Sequence, residues 1–275
     1  MYKRQTLGDN DVDFTTALTD GTTYILEITN ATIPERIGTI QEVTSWTANT
    51  FETGNDLGAE GLVAGDSYTI RPAVTIQEVF GTPPSLTSNA SSGSSDIIWL
   101  PNGSGGFTRY FYRTSLSGNS SWFNADTNTE VTSGIPIIFT DGILVQLQDS
   151  SPNVDLVVTG TVKTNQISVA VFEGFNLVSN VYPVGSTLQN SGLADGLSST
   201  ASSVSSDVVW IPAANGSFVR YFYRTTLSGN SSWFNADTNT EVTEDINLTS
   251  AFYIQRANDD AANILITPPE NYENL

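Results

Sequence analysis

Neither cysteine nor histidine occurs in the 275-residue chain, and methionine occurs once. Their absence removes the disulfide framework, the thiol nucleophile, the Cys/His zinc site and the imidazole that most often acts as general base near neutral pH. Positive charge is scarce too: 10 Lys plus Arg face 29 Asp plus Glu, for a formal net charge of −19. That balance makes nucleic acid and anionic membrane surfaces poor partners. No run of 18 apolar residues is present, so no transmembrane segment is expected, and no basic-then-apolar leader opens the chain. The length suffices for a sizeable core without metals or disulfides, and the missing cysteines assign no compartment.

The only adjoining basic residues lie in MYKRQ at 1–5, ahead of an acidic, Thr/Ser/Asn-rich texture. This pentapeptide is similar to a translation of a transposon end used in preparing sequencing libraries. Residues 1–5 are therefore expected to be an artefact on a metagenomic gene truncated at its 5′ end, with any signal peptide lost.

What the chain does contain is a duplication. RYFYRTSLSGNSSWFNADTNTEVT at 109–132 returns as RYFYRTTLSGNSSWFNADTNTEVT at 220–243, with only Ser115 exchanged for Thr226. Backward of the block, ASSGSSDIIWLPNGSGGFT (90–108) aligns with ASSVSSDVVWIPAANGSFV (201–219). Forward, ILVQLQDSSPNVDLVV (143–158) parallels FYIQRANDDAANILIT (252–267), with Gln146 opposite Gln255. Upstream, TIQ (75–77) stands opposite TLQ (187–189) after a one-residue gap, giving a repeat of about 95 residues.

Apolar runs last four to seven residues, are rich in Val, Ile, Thr, Tyr and Phe, and end in Gly, Asn, Asp, Ser or Pro, which predicts an all-β chain. Strands are expected near 22–29, 37–44, 66–71, 96–100, 107–113, 120–123, 136–139, 143–148 and 154–163. In the second repeat they are expected near 167–172, 175–182, 207–211, 218–224, 231–234, 250–256 and 263–267. The Ser/Thr/Gly/Pro-dense segments 81–95 and 185–206 read as long connections with room for a turn of helix. Beyond residues 1–5, the domain reading is a small acidic β module (6–72), a first β repeat (73–166) and a second (167–275). The repeats are expected as two tandem β-sandwich or barrel-like units, or as one pseudo-symmetric body.

The stretches YILEIT, ERIGTIQEVTSWTANTF, GLVAGDSYTIRPAVTIQEVF, FNLVSNVYPVGSTLQNSGL and ILITPPENY together resemble a family of uncharacterised secreted repeat proteins of Verrucomicrobia-type bacteria. The likeness runs from about residue 14 to the end. It implies a β-repeat architecture and an extracellular or cell-surface location, but no chemistry. In that family a strand like NLVSNVYPV opens each half, and a small module interrupts the first half. The loop before Trp122 and Trp233 departs from it, because TSLSGNSSWFNADTN replaces a short GxWRxxG-like turn.

Strand alternation in FTRYFYR puts Phe107, Arg109, Phe111 and Arg113 on one face and Tyr110 and Tyr112 on the other, and the second copy repeats this. Two uses compete. In the first, the arginines pair with Asp126, Glu130, Asp237 and Glu241, and the rings pack. In the second, Tyr110, Tyr112 and Trp122, with Tyr221, Tyr223 and Trp233, form duplicated aromatic platforms for polysaccharide. Solvent exposure of the two tryptophans separates these readings. Two oxygen-rich stretches have residue types suited to calcium, Asp9/Asp11/Asp13 and Asp126/Asn128/Glu130, the latter repeated as Asp237/Asn239/Glu241, although neither carries the glycine and closing Glu of an EF-hand loop. Nothing ties two carboxylates into a hydrolytic pair, and Lys163 alone makes no Ser/Lys arrangement, so no catalytic residue is assigned. The leading expectation is a non-enzymatic secreted or cell-surface structural protein without a required cofactor. The alternatives are a carbohydrate-binding adhesion module and a subunit that self-associates through strand edges.

Overall fold

The computed structural model describes residues 5–54, 63–102, 105–114, 120–138, 140–149, 151–152, 163–182, 184–225, 231–258 and 262–272. It is an all-β protein of antiparallel sheets. The strands are β1 (Gln5–Gly8), β2 (Tyr24–Asn30), β3 (Ile40–Trp46), β4 (Thr50–Thr53), β5 (Ser67–Pro72), β6 (Ile97–Pro101), β7 (Phe107–Arg113), β8 (Ser121–Asn124), β9 (Thr129–Glu130) and β10 (Leu144–Gln146). They continue with β11 (Ile167–Val171), β12 (Gly174–Val178), β13 (Val208–Pro212), β14 (Phe218–Thr225), β15 (Ser231–Asn235), β16 (Thr240–Glu241), β17 (Phe252–Arg256) and β18 (Ala262–Ile266). Short helices are α1 (Phe14–Ala17), α2 (Ile76–Phe80) and α3 (Leu193–Gly196). No helix among the described residues is long and apolar enough to cross a membrane.

The chain divides into two compact units, one of Met1–Trp99, Thr108–Ile138 and Val145–Thr159, the other of Leu100–Phe107, Phe139–Leu144 and Gly160–Leu275. The acidic 6–72 stretch forms a five-stranded sheet in the order β1-β4-β3-β2-β5. Its core is Phe14, Tyr24, Leu26, Ile28, Val43 and Phe51, where the Phe14 and Phe51 rings meet edge to face at 5.3 Å. A second sheet runs β10-β6-β7-β8-β9. The second unit holds a six-stranded sheet, β12-β17-β13-β14-β15-β16, and the pair β11-β18. Val209, Tyr221, Trp233, Phe252 and Ile254 from the six-stranded sheet share a core with Ile167, Val169, Ile264 and Ile266 from the pair. The order β10-β6-β7-β8-β9 is that of β17-β13-β14-β15-β16, strand for duplicated strand.

Hydrogen bonds repeat with the sequence. Gln77 and Gln189 each donate from the amide to the carbonyl of residue 133 or 244, and accept from the N–H of Ile135 or Ile246. The Ser-rich tracts are ordered by Ser95 and Ser206, which accept from the N–H of Asn89 and Thr200. The expected strand at 136–139 is instead an isolated bridge at Pro136. Proline has no N–H for a ladder; the flanking Ile135 carbonyl accepts from the Ile76 N–H while its own N–H goes to the Gln77 side chain, and the Ile137 N–H donates to the Val74 carbonyl. The expected strand at 154–163 lies almost wholly outside the described residues, as do the Ser115/Thr226 difference and residues 1–4. Helix α2 was not expected, and a reciprocal capping box forms it: the Glu78 carboxylate accepts from the Thr75 N–H, and Thr75 Oγ1 accepts from the Glu78 N–H.

Candidate functional site

Register decides which way the duplicated side chains point. In β14, Tyr221 and Tyr223 pair with Asn235 and Trp233, while Arg220 pairs with Trp210 of β13. Tyr221 and Trp233 belong to the core of the second unit, with Tyr223 packed against it. The face carrying Phe218, Arg220, Phe222 and Arg224 is therefore turned away from that core, with Phe218 41% exposed but Phe222 only 1% exposed, covered by Arg224 and Phe234. The first copy follows the same parity, with Trp122 2% and Tyr112 5% exposed and Tyr110 half-buried. Burial raises the Tyr110 and Tyr221 hydroxyl pKa values, as expected for phenols lifted out of water.

The six rings expected as sugar platforms, Tyr110, Tyr112, Trp122, Tyr221, Tyr223 and Trp233, are thus inward or half-buried. Their contacts are cross-strand: Tyr112 meets Trp122 at 5.6 Å and 76°, and Tyr223 meets Trp233 at 5.3 Å and 66°. Trp122 donates its indole N–H to the Gly81 carbonyl at 3.2 Å. With Trp233 only 4% exposed, neither tryptophan offers a flat face to solvent. The platform reading at these residues gives way to packing because tyrosine and tryptophan alternate onto the buried side of the sheet.

The oxygen-rich stretches also have other employment. Asp9 accepts from the Tyr68 hydroxyl at 2.6 Å and from the Asp11 N–H, bonds that hold it below the ordinary carboxylate range. Asp13 caps α1 through the Thr15 N–H and hydroxyl, and Asp11 is exposed. In the duplicated turn, Asn124 Oδ1 accepts from the N–H of Asp126 and Thr127 at 2.8 and 3.0 Å, and Asn235 repeats this with Asp237 and Thr238. Asn128 and Asn239 sit at φ 56°, a left-handed conformation that asparagine tolerates better than most residues. Each offers its side-chain oxygen to an arginine, Arg113 or Arg224. Glu130 and Glu241 are exposed in two-residue strands. Among the described residues no group of three or more acidic side chains is placed to hold a metal ion.

Outside, the two copies build the same station. Trp99 donates its indole N–H to Gln146 Oε1 at 3.1 Å, and Trp210 does so to Gln255 at 3.1 Å. The Arg109 and Arg220 guanidinium groups lie 5.2 and 5.1 Å from those tryptophan rings. Arg109 is paired with Asp126 at 2.6 Å, and Arg220 with Asp237. Partial burial pushes Asp126 up, but the Arg109 bonds outweigh it and hold the carboxyl below its ordinary value, while the Arg220 bonds lower Asp237. Arg113 and Arg224 stack over Phe123 and Phe234 at 3.8 and 3.9 Å. Planar guanidinium suits both stacking and the carboxylate fork. The arginine–aspartate pairing was legible from the block. Trp99, Trp210 and their glutamines were not, although Gln146 and Gln255 already stood opposite each other in the alignment.

Beneath each station is a buried aspartate. Asp207, with its side chain fully buried, accepts from Arg256 at 2.7 Å, from the Ala257 N–H and from the Ser198 N–H. Asp96 takes the matching amides of Gln148 and Thr87, with the Ser151 hydroxyl in the arginine's role. Beside Arg220, Gln255 and Arg256 lies a cavity of about 320 Å³. At the edge of the six-stranded sheet, Gly142 donates to the Leu177 carbonyl and Ser179 to that of Thr140, so 140–142 run beside the end of β12.

No protein-family model, curated protein or solved structure matches the chain.

Proposed function

We propose that this chain is a non-enzymatic structural protein of the extracellular space or cell surface, made by duplicating a β unit. One observation carries the reading: the residues copied almost verbatim are engaged with one another. Arg109 with Asp126, Arg220 with Asp237, Arg113 with Asn128 and Arg224 with Asn239 tie β7 and β14 to the turns that follow β8 and β15. A block whose charged and polar groups are spent on one another makes a self-supporting sheet, whereas a catalytic site aims such groups at a substrate. The resemblance to secreted repeat proteins supplies the location.

An antibody raised against the recombinant chain is expected to label intact cells or culture fluid of the organism that carries the gene. Recovery only from the cytosol would overturn the location. Reproducible turnover of chromogenic glycosides or esters by the purified protein would overturn the non-enzymatic role.

A further inference from the structure

The outer face of the six-stranded sheet in the second unit carries a cluster of four aromatic rings. Phe175, Phe218, Trp210 and Tyr253 come from β12, β14, β13 and β17, and register puts them on one side. Trp210 stands opposite both Arg220 and Tyr253, Phe218 stands opposite Pro212, and Phe175 stands opposite Gln255. The rings meet edge to face at 65–89°, with centroids 5.3 Å apart for Phe175–Trp210, 6.1 Å for Phe175–Tyr253, 5.6 Å for Phe218–Tyr253 and 6.4 Å for Trp210–Phe218. Phe175 and Phe218 nevertheless remain 42% and 41% exposed. Single exposed apolar side chains need no explanation, but a contiguous aromatic patch with a polar rim marks a binding surface.

We propose that this face binds an uncharged polysaccharide. Sugar rings present apolar C–H faces and hydroxyl edges, so the surface that recognises them combines exposed rings with polar groups fixed in orientation. Both are present. The Trp210 indole N–H fixes Gln255 through its side-chain oxygen, which leaves the amide N–H donors of Gln255 directed elsewhere. Arg220 is held flat by Trp210 on one side and by the Asp237 carboxylate at its fork, so its orientation is set before any ligand arrives. Gln255 and Arg220 both line the adjoining cavity of about 320 Å³, together with Ser203, Ser206, Val204 and Val208, so a recess of pocket size with mixed polar and apolar lining lies beside the aromatic face. Charge selects the class of polymer. Arg220 is neutralised by Asp237 and Arg256 by Asp207, and the chain carries a net −19, so a polyanionic chain is repelled while a neutral one is not. The first copy keeps Trp99, Arg109 and Gln146 but has Leu144 where the second has Tyr253, so the ring cluster belongs to the second copy. This inference does not depend on the structural role proposed above.

The test is affinity electrophoresis of the purified protein in gels containing a β-glucan, a mannan, a xylan or, as the anionic comparison, polygalacturonate. At least one neutral polymer is expected to retard the wild type, and polygalacturonate is not. Phe175→Ser and Phe218→Ser, both at exposed positions, are expected to weaken that retardation at least tenfold while leaving the circular dichroism spectrum intact. Val74→Ser, a matched change at a valine 45% exposed and about a hundred positions away, is expected to leave it unchanged. Failure of every neutral polymer, retardation indifferent to both phenylalanine changes, or equal loss in the valine variant would overturn the proposal. So would a wild-type dimer in sedimentation that Phe175→Ser dissociates, since the face would then be covered by a second copy.

Discussion

Arg224 lies 3.9 Å over the Phe234 ring, and its fork reaches the side-chain oxygen of Asn239, which holds a left-handed backbone at φ 56°. One residue thus serves two purposes, so its replacements separate them. Asn239→Gly keeps the conformation and loses only the acceptor, whereas Asn239→Val also forces a β-branched side chain into left-handed space, a further cost of about 1–2 kcal/mol. Chemical denaturation of the two variants is expected to rank them in that order, and equal midpoints would mean the turn relaxes out of the left-handed region. A larger loss is expected at Asp207. Removing a carboxylate that neutralises a buried arginine costs about 3–5 kcal/mol, because the remaining charge has no compensation. Asp207→Ala is therefore expected to fall by that amount, and Asp96→Ala by less, since Asp96 is held by a hydroxyl and backbone amides with no arginine. Equal losses in urea titrations of the two variants would contradict this assignment of roles. Neither aspartate was legible beforehand. Each closes a Ser-rich tract that reads as a solvated connection, and burial of such a residue depends on partners about 50 positions away.

At the scale of elements, Gly142 shows how close the strands come. A Cβ there would lie 2.5 Å from Leu177 Cγ and 2.8 Å from Ala251 Cβ, so Gly142→Ala overpacks the end of β12. The expected cost is about 1–3 kcal/mol, and Leu177→Ala in the same chain is expected to recover part of it, which a double-mutant cycle of unfolding free energies measures. Additive losses would mean that the backbone moves and the leucine does not resist. Most strands were readable because alternation and turn residues are local signals: β7, β8, β14 and β15 fall within a residue or two of expectation. What escaped was either too short for a period, as with β4 and the two-residue β9 and β16, or written in a different signal. The Thr-x-x-Glu of α2 is such a case, a capping box within TIQE, a stretch that reads only as part of the repeat and carries no expected secondary structure. The candidate site was missed by one step of parity. Alternation separated the Phe/Arg face from the Tyr/Trp face correctly, but which face meets the core depends on β11 and β18, whose packing against the sheet is not a local property.

For the whole molecule the dominant quantity is charge, and two sets of carboxyls respond to acid in opposite directions. Asp9, Asp66, Asp126 and Asp237 are held below their ordinary pKa by hydrogen bonds and, for the last two, by arginine. Their contribution is present at neutral pH and is lost as pH falls through the lowered values, below about 4. Asp141, beside the end of β12, behaves inversely, because burial pushes its carboxyl up to about 7. Between roughly pH 4 and 7 the folded chain then keeps a proton that the unfolded chain has released, so this group costs nothing below about pH 4 and destabilises the fold increasingly as pH rises towards 7. Asp141→Asn removes the titration. The variant is expected to exceed the wild type by up to about 4 kcal/mol at pH 8, with the difference shrinking towards zero near pH 4. Added salt raises the stability of both, since a net −19 repels itself in any compact state. Unfolding curves for the pair at pH 4, 6 and 8, each at low and high salt, separate the two effects. A difference that is flat across pH would mean that Asp141 reaches water in the folded state, and a salt response confined to the wild type would mean that its charge, rather than the sum of all 29 acidic residues, governs the fold.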